Sequence, residues 1–553
     1  MTQKKLIYGL LLIFIILATV NINAQIPDRT IGFSWENLPT AKTPVFKKDT
    51  VNIVKFGAIS DGISLNTNSI NNAVAECSKN GGGVVLVPQG LWLTGPVVLQ
   101  NNVNLHIAKK ALLLFTGDFE QYKLLEGSYE GKPSFRNQSP ISGTNLENIA
   151  ITGQGIIDGN GDFWRSVNKG QLTESEWKKK ITSGGIVSED GSRWFPSEKY
   201  MKGHLTPNAA QVVPGKTAKD YEEIKDFLRP NLLVLTQCKR VLLEGVTFQN
   251  SPAWCLHPLM CEDLTLMNVN VKNPEYAQNG DGIDVESCKN VLIDGCTFDV
   301  GDDAICIKSG KDKFGRERGI PSENMVIRNN MVYKGHGAFV VGSEMSGGAR
   351  NIFVSDCTFM GTDKGIRFKT ARGRGGIVEN IFIKNILMKD IQSEAIYFDM
   401  YYFTKPPVPG EKVVVPEVSE ETPQFQKIQI SNVVCNGADK GIFIRGLPEM
   451  AVKNISITNS VISARIGVEL IEAENITLKN IRLVTKETKP VIAIENSSSL
   501  TIDSLKYNKN TDLLFKVSGN RSGNIDVFNT NVSNTNKSLE LGADVLVGAI
   551  RIN

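Results

Sequence analysis

Apolar and polar residues alternate with a period of two along most of the chain, and one alternating unit returns many times. It reads "LENIAITGQGI" from Leu146, "CKRVLLEGVTF" from Cys238, "CEDLTLMNVNV" from Cys261, "CKNVLIDGCTF" from Cys288, "ARNIFVSDCTF" from Ala349, "VENIFIKNILM" from Val378, "VKNISITNSVI" from Val452 and "AENITLKNIRL" from Ala473. Such alternation, rich in Val, Ile and Thr, predicts strands, and the 3.6-residue period of a helical solenoid is absent. Clear neighbours start 21 to 29 residues apart. That spacing fits a stacked coil in which no single turn can bury its own apolar face. An Asn recurs at one place in the unit, at Asn148, Asn290, Asn351, Asn380, Asn454 and Asn475. Asn tolerates left-handed backbone at a turn and can share side-chain hydrogen bonds along a column. The pattern predicts an all-β, single-stranded parallel β-helix.

A second strand aligns within each coil: "DGIDVES", "DDAICIKS", "HGAFVVGS", "KGIRFKT", "EAIYFDM" and "KGIFIRG". With Gly282, Ala304, Ala338, Gly365, Ala395 and Gly441 in one column, Ile283, Ile305, Phe339, Ile366, Ile396 and Ile442 stack inward, and alternate residues face solvent. One departure from strand periodicity is "NTNSINNAVAECSKNGGG". It puts Ile70, Val74 and Cys77 on one helical face before the first strand, "VVLVPQG", and reads as a short N-terminal capping helix.

Composition adds a destination. Lys4 and Lys5, an apolar run from Leu6 to Val20, and Ala24 before Gln25 form a secretory signal, too short for the roughly 20 residues of a spanning helix. The expected organisation is a signal peptide at 1–24, an N-terminal extension at 25–50, and a parallel β-helix domain at 51–553 with an unrepetitive insertion at about 165–229. The mature protein is expected to be an exported monomer, periplasmic or extracellular, with no membrane insertion. The nine cysteines lack metal-type spacing, so buried thiols are expected rather than zinc or disulfides.

The net charge of +3 selects no partner, but the columns carry chemistry. Asp281 and Asp303 fall in one column on adjacent coils, which lie about 4.8 Å apart, and Asp302 falls beside His336 on the next coil. Asp at a strand mouth often only caps backbone groups, yet carboxylates in register raise each other's pKa unless something binds between them. Arg367 and Lys369 follow with outward parity. Between Lys308 and Arg374 there are 13 Lys and Arg against six Asp and Glu, a basic wall suited to an anionic substrate. Stacking platforms for nucleic acid are not evident, so an acidic sugar polymer fits better.

These residues resemble the polygalacturonases, family 28 of glycoside hydrolases. The motifs are "NGD" at 279–281, "GDD" at 301–303, "GHG" at 335–337 and "RFK" at 367–369, and the likeness runs from about Val51 to at least Tyr402. It implies a right-handed, pectin-lyase-like β-helix that hydrolyses α-1,4-galacturonosyl links of pectic polygalacturonate with inversion and without a cofactor or metal. By resemblance Asp302 is the general acid, Asp281 and Asp303 activate the water, and His336 supports Asp302. Arg367 and Lys369 grip the galacturonate carboxylate on the leaving-group side, with Tyr402 near the same sugar. Lys308, outward in the coil of Asp302, is an added substrate-binding candidate. Inverting enzymes hold acid and base about 6.5–9.5 Å apart, a distance that a diagonal across coils can supply. Gly280 stands where the family has Thr, and Phe368 where it has Ile. The insertion is expected to wall one end of the cleft and make the enzyme exo-acting from the non-reducing end. Rhamnogalacturonan and xylogalacturonan hydrolysis stay open, as does a pectate lyase holding calcium on Asp281, Asp284, Asp302 and Asp303. A β-helical adhesin that only binds polysaccharide would not need carboxylates in register.

Overall fold

The computed structural model describes residues 32–407 and 415–553; the signal peptide and part of the 401–425 loop lie outside them. The chain winds as a parallel β-helix. Its strands form a 23-stranded sheet and a 14-stranded sheet. Later strands such as Ile377–Lys389 run through the bend between two faces of the coil, which joins those faces into the larger sheet. The smaller sheet is the third face and carries the site. No helix among the described residues is long and apolar enough to cross a membrane.

The coil register follows the sequence columns. Ile283 pairs with Ile305, Ile305 with Phe339, Phe339 with Ile366, Ile366 with Ile396 and Ile396 with Ile442, and all are fully buried. Phe368 is an inward residue stacked on Phe398, with ring centres 4.4 Å apart. Aligned apolar rows of this kind supply the burial that one coil alone lacks. The recurring asparagines have left-handed φ, for example 57° at Asn290 and 56° at Asn351. Their amides ladder from coil to coil, Asn351 to Asn324 at 3.1 Å and Asn475 to Asn454 at 2.6 Å. The helix Thr67–Lys79 caps the first coil through Ile70, Ala73, Val74 and Cys77. All nine cysteines are buried and unpaired.

Two features depart from the sequence reading. The insertion is not structureless. It holds the helices Glu174–Thr182 and Glu198–Leu205 and a three-stranded sheet, with its own small core of Val167, Trp177 and Trp194. It also packs on an antiparallel hairpin, Leu124–Tyr129 with Lys132–Asn137, through Phe135, Tyr221, Ile224 and Leu228. Glu130 and Gly131 form the hairpin turn with φ of 49° and 71°, the conformation of a two-residue type I′ loop. The hairpin lies on the third face, so outward residues there do not meet solvent: Asp284, Glu286 and Cys306 are fully buried.

Candidate active site

Two strand mouths on adjacent coils build the acidic centre. Gly282 N–H donates to Asp303 O at 2.9 Å, which sets Asp281 beside Asp303. Asn273 fixes the first mouth by donating to Gly280 O at 3.0 Å and to Asp281 O at 3.3 Å. A side chain at Gly280 would meet Ala277 Cβ and O at 2.8 Å. Its departure from the family pattern therefore concerns packing inside the turn rather than the cleft. Asp302 sits in the bend before its strand, and its Oδ1 accepts from Asp303 N–H at 2.9 Å. It also lies 3.1 Å from His336 Nδ1.

One oxygen from each of Asp281, Asp302 and Asp303 lies within 4.8 Å of the other two. Strand stacking sets the spacing of Asp281 and Asp303, and the bond to the Asp303 amide holds Asp302 beside them.

The carboxylates divide by environment. Asp303 is buried, which would raise its pKa, but Lys369 and Arg367 outweigh burial and hold it well below the usual range. Lys369 Nζ is 2.6 Å from one of its oxygens and Arg367 NH1 is 2.9 Å from the other. Asp281 moves the opposite way: burial first, then the Asp284 and Asp302 carboxylates, raise it well above the ordinary value. Asp284, three residues further on and inside the strand Ile283–Glu286, is pushed up to about 8 by burial, against the pull of Lys308. His336 is raised by its bond to Asp302, against burial.

Lys308 is outward, as expected, but it is not free. Its Nζ is 3.0 Å from Glu344 and 3.3 Å from Asp284, and it lies 4.4 Å over the Trp254 ring. The basic wall is likewise largely paired, because the coil brings acids from distant stretches to it. Lys311 meets Glu130, Arg318 meets Glu286, and Arg316 meets Glu421. Tyr402 stands beside the cationic pair, its ring 4.8 Å from Lys369 Nζ and 5.6 Å from Arg367. Asp281, Asp302, Asp303, Lys308, Lys369 and Tyr402 thus line a single cavity of about 100 Å³ together with Glu130, Trp254 and Glu344.

Comparison with known proteins adds the family. A family model described as Glycosyl hydrolases family 28 matches residues 213–422. The chain is 32% identical to a crystal structure of a hyperthermoactive exopolygalacturonase from Thermotoga maritima, covering 80% of this chain and 94% of that one with a TM-score of 0.65. The chain belongs to glycosyl hydrolases family 28. It is also 30% identical to a probable polygalacturonase of Vitis vinifera over 62% of this chain, and 28% identical to an exo-poly-alpha-D-galacturonosidase of Dickeya chrysanthemi over 68%. Those alignments span 61% and 60% of the length of the two relatives.

Some of the lining of this family 28 site escapes the motif reading. Glu130 arrives on the hairpin tip, which docks so closely that a Cβ at Gly131 would sit 2.6 Å from Lys311 N. Tyr129, next to it, stacks on Trp254 with ring centres 5.2 Å apart. The Glu-Gly pair in "YEGK" was the only local hint of this turn, and the flanking residues do not alternate as strands do. Asp284 and Glu344 gave no such signal, because their burial depends on what covers the sheet.

Proposed function

We propose that the protein is an exo-acting hydrolase that releases galacturonate from the non-reducing end of polygalacturonate. The observation that carries this reading is the ionised Asp303, clamped by Arg367 and Lys369, in one small cavity with Asp281, Asp302 and Tyr402. Asp302 protonates the leaving glycosidic oxygen, and its contact with His336 orients it for that task. Asp303 and Asp281 polarise the attacking water, and the cavity has room for it. Arg367 and Lys369 take the uronate carboxylate on the leaving side when substrate enters.

Both oxygens of Asp303 are held by cations and Asp281 is buried. Neither is placed as a free nucleophile, which supports attack by water and inversion. Exo action is supported by the hairpin, whose tip residue Glu130 lines the cavity of the aspartates and which the insertion backs, and by the likeness to two proteins with exo-acting names. Residues 1–24 support export, and N-terminal sequencing of protein from the producing cells is expected to begin at Gln25.

Proton NMR of trigalacturonate hydrolysis tests the mechanism. The new reducing end is expected to appear first as the β anomer, with saturated monogalacturonate as the first product. Initial α anomer would exclude inversion, and an unsaturated sugar would exclude hydrolysis.

A further inference from the structure

The paired charges around the aspartates leave two arginines standing apart. Arg136, on the second strand of the hairpin, has no carboxylate within ion-pair distance among the described residues; its guanidinium lies 3.5 Å over the Tyr129 ring. Arg229, at the end of the insertion and buried, gives its guanidinium only to neutral acceptors. These are Pro252 O and Gln278 O at 2.8 Å and Asn279 Oδ1 at 2.9 Å. The two line a cavity of about 390 Å³ between the hairpin and the insertion, whose other borders include Ala210 and Phe227. This cavity shares Glu130 and Asn279 with the catalytic one. Lys132 and Lys311 also border it, but they are already paired with Asp312 and Glu130.

Two guanidinium groups at a partly dry site, where the one bordering carboxylate, Glu130, is already paired with Lys311, are costly unless a further anion completes them. Burial pulls Arg136 down to about 10, and the neighbouring Arg229 acts in the same direction. A polyuronate carries one carboxylate on every ring, so a chain lying across the aspartates presents an anion on each side of the broken bond. Arg367 and Lys369 serve one side, and the hairpin end serves the other.

We propose that Arg136 and Arg229 form a second carboxylate subsite, which takes the uronate at the non-reducing terminus and so makes the closed end selective for an acidic sugar. The inference rests on the polygalacturonate reading above. Asn279 links the subsite to chemistry: it holds Arg229 and lies two residues before Asp281, so filling the subsite bears on the strand mouth that carries a catalytic carboxylate.

Calorimetric titration of the Asp302→Asn protein measures binding without turnover. The probes are digalacturonate and the same disaccharide methyl-esterified on its non-reducing residue. The ester is expected to bind about 10- to 100-fold more weakly, the range for losing a charge-assisted hydrogen bond. Adding Arg136→Gln is expected to bring the acid down to the ester's affinity and to leave the ester unchanged. Arg136→Lys, which keeps the charge without the planar fork, is expected to retain part of the discrimination, and it decides the matter if the Gln variant does not fold. Equal binding of acid and ester by the parent, or discrimination as large in a folded Arg136→Gln or Arg136→Lys protein as in the parent, overturns the subsite. The readout is independent of catalysis. A protein that discriminates but never hydrolyses keeps the subsite and loses the hydrolase, and an active hydrolase indifferent to the ester does the reverse.

Discussion

The two cationic pairs that flank the aspartates use the same chemistry to opposite ends. Arg367 and Lys369 spend their charge on Asp303, whereas Arg136 and Arg229 meet no carboxylate among the described residues. The first pair belongs to the regular coil, where register fixes who faces whom. The second belongs to the hairpin and insertion laid over it. The coil fixes the charge state of Asp303, and in the function proposed above the additions select which end of the polymer reaches the aspartates.

The largest effect expected from breaking this arrangement is at its centre. Asp302→Asn should lower turnover by at least about 10²–10⁴-fold, the usual contribution of a general acid, while digalacturonate binding persists in calorimetry. An unchanged rate would remove Asp302 from the chemistry. Next comes the asymmetry between the pairs. Lys369→Met leaves buried Asp303 with only Arg367 and should cost about 3 kcal/mol of stability, the lower end for breaking a buried pair. Arg136→Gln, which strands no carboxylate, should shift the urea midpoint far less. Comparable losses would mean that the two pairs do not differ in the way described. A double variant, Lys369→Met with Asp303→Asn, should recover part of the loss.

A smaller effect concerns Asp284. Its folded-state pKa of about 8 lies above the ordinary carboxylate value, so the folded protein binds the extra proton and stability falls as pH rises from about 4 to 8. Asp284→Asn removes that dependence. Its melting temperature relative to the parent should therefore be higher at pH 8 than at pH 5; a difference that is flat with pH would show that Asp284 is ionised in the fold across that range.

Much of the frame was legible before any coordinates, for a physical reason. In a stacked coil each inward residue meets its equivalents one turn away, so periodicity alone places Ile283 on Ile305 and Asn475 on Asn454; the coil at Ser322, with Asn324, was missed. The pairing of Asp302 with His336 follows from the same register. What was hidden depends on parts that do not repeat. The burial of Asp284 and Lys308, and the docking of Glu130, come from the cover over the third face. The apparent basic wall is paired because acids arrive from elsewhere, Glu286 from another coil and Glu130 from the hairpin. The close approach of the acidic oxygens rests on local geometry, Asp302 bonded to the Asp303 amide, which periodicity does not encode.

The most direct test of the account is the product profile from unesterified polygalacturonate with a chelator present, followed by chromatography, reducing ends and ultraviolet absorbance. Saturated monogalacturonate from the first time point, with no absorbing product and no loss to the chelator, is the predicted result. Unsaturated products or activity abolished by the chelator would contradict the acid and base roles given to Asp302, Asp281 and Asp303, and an early ladder of saturated oligomers would contradict the closed end.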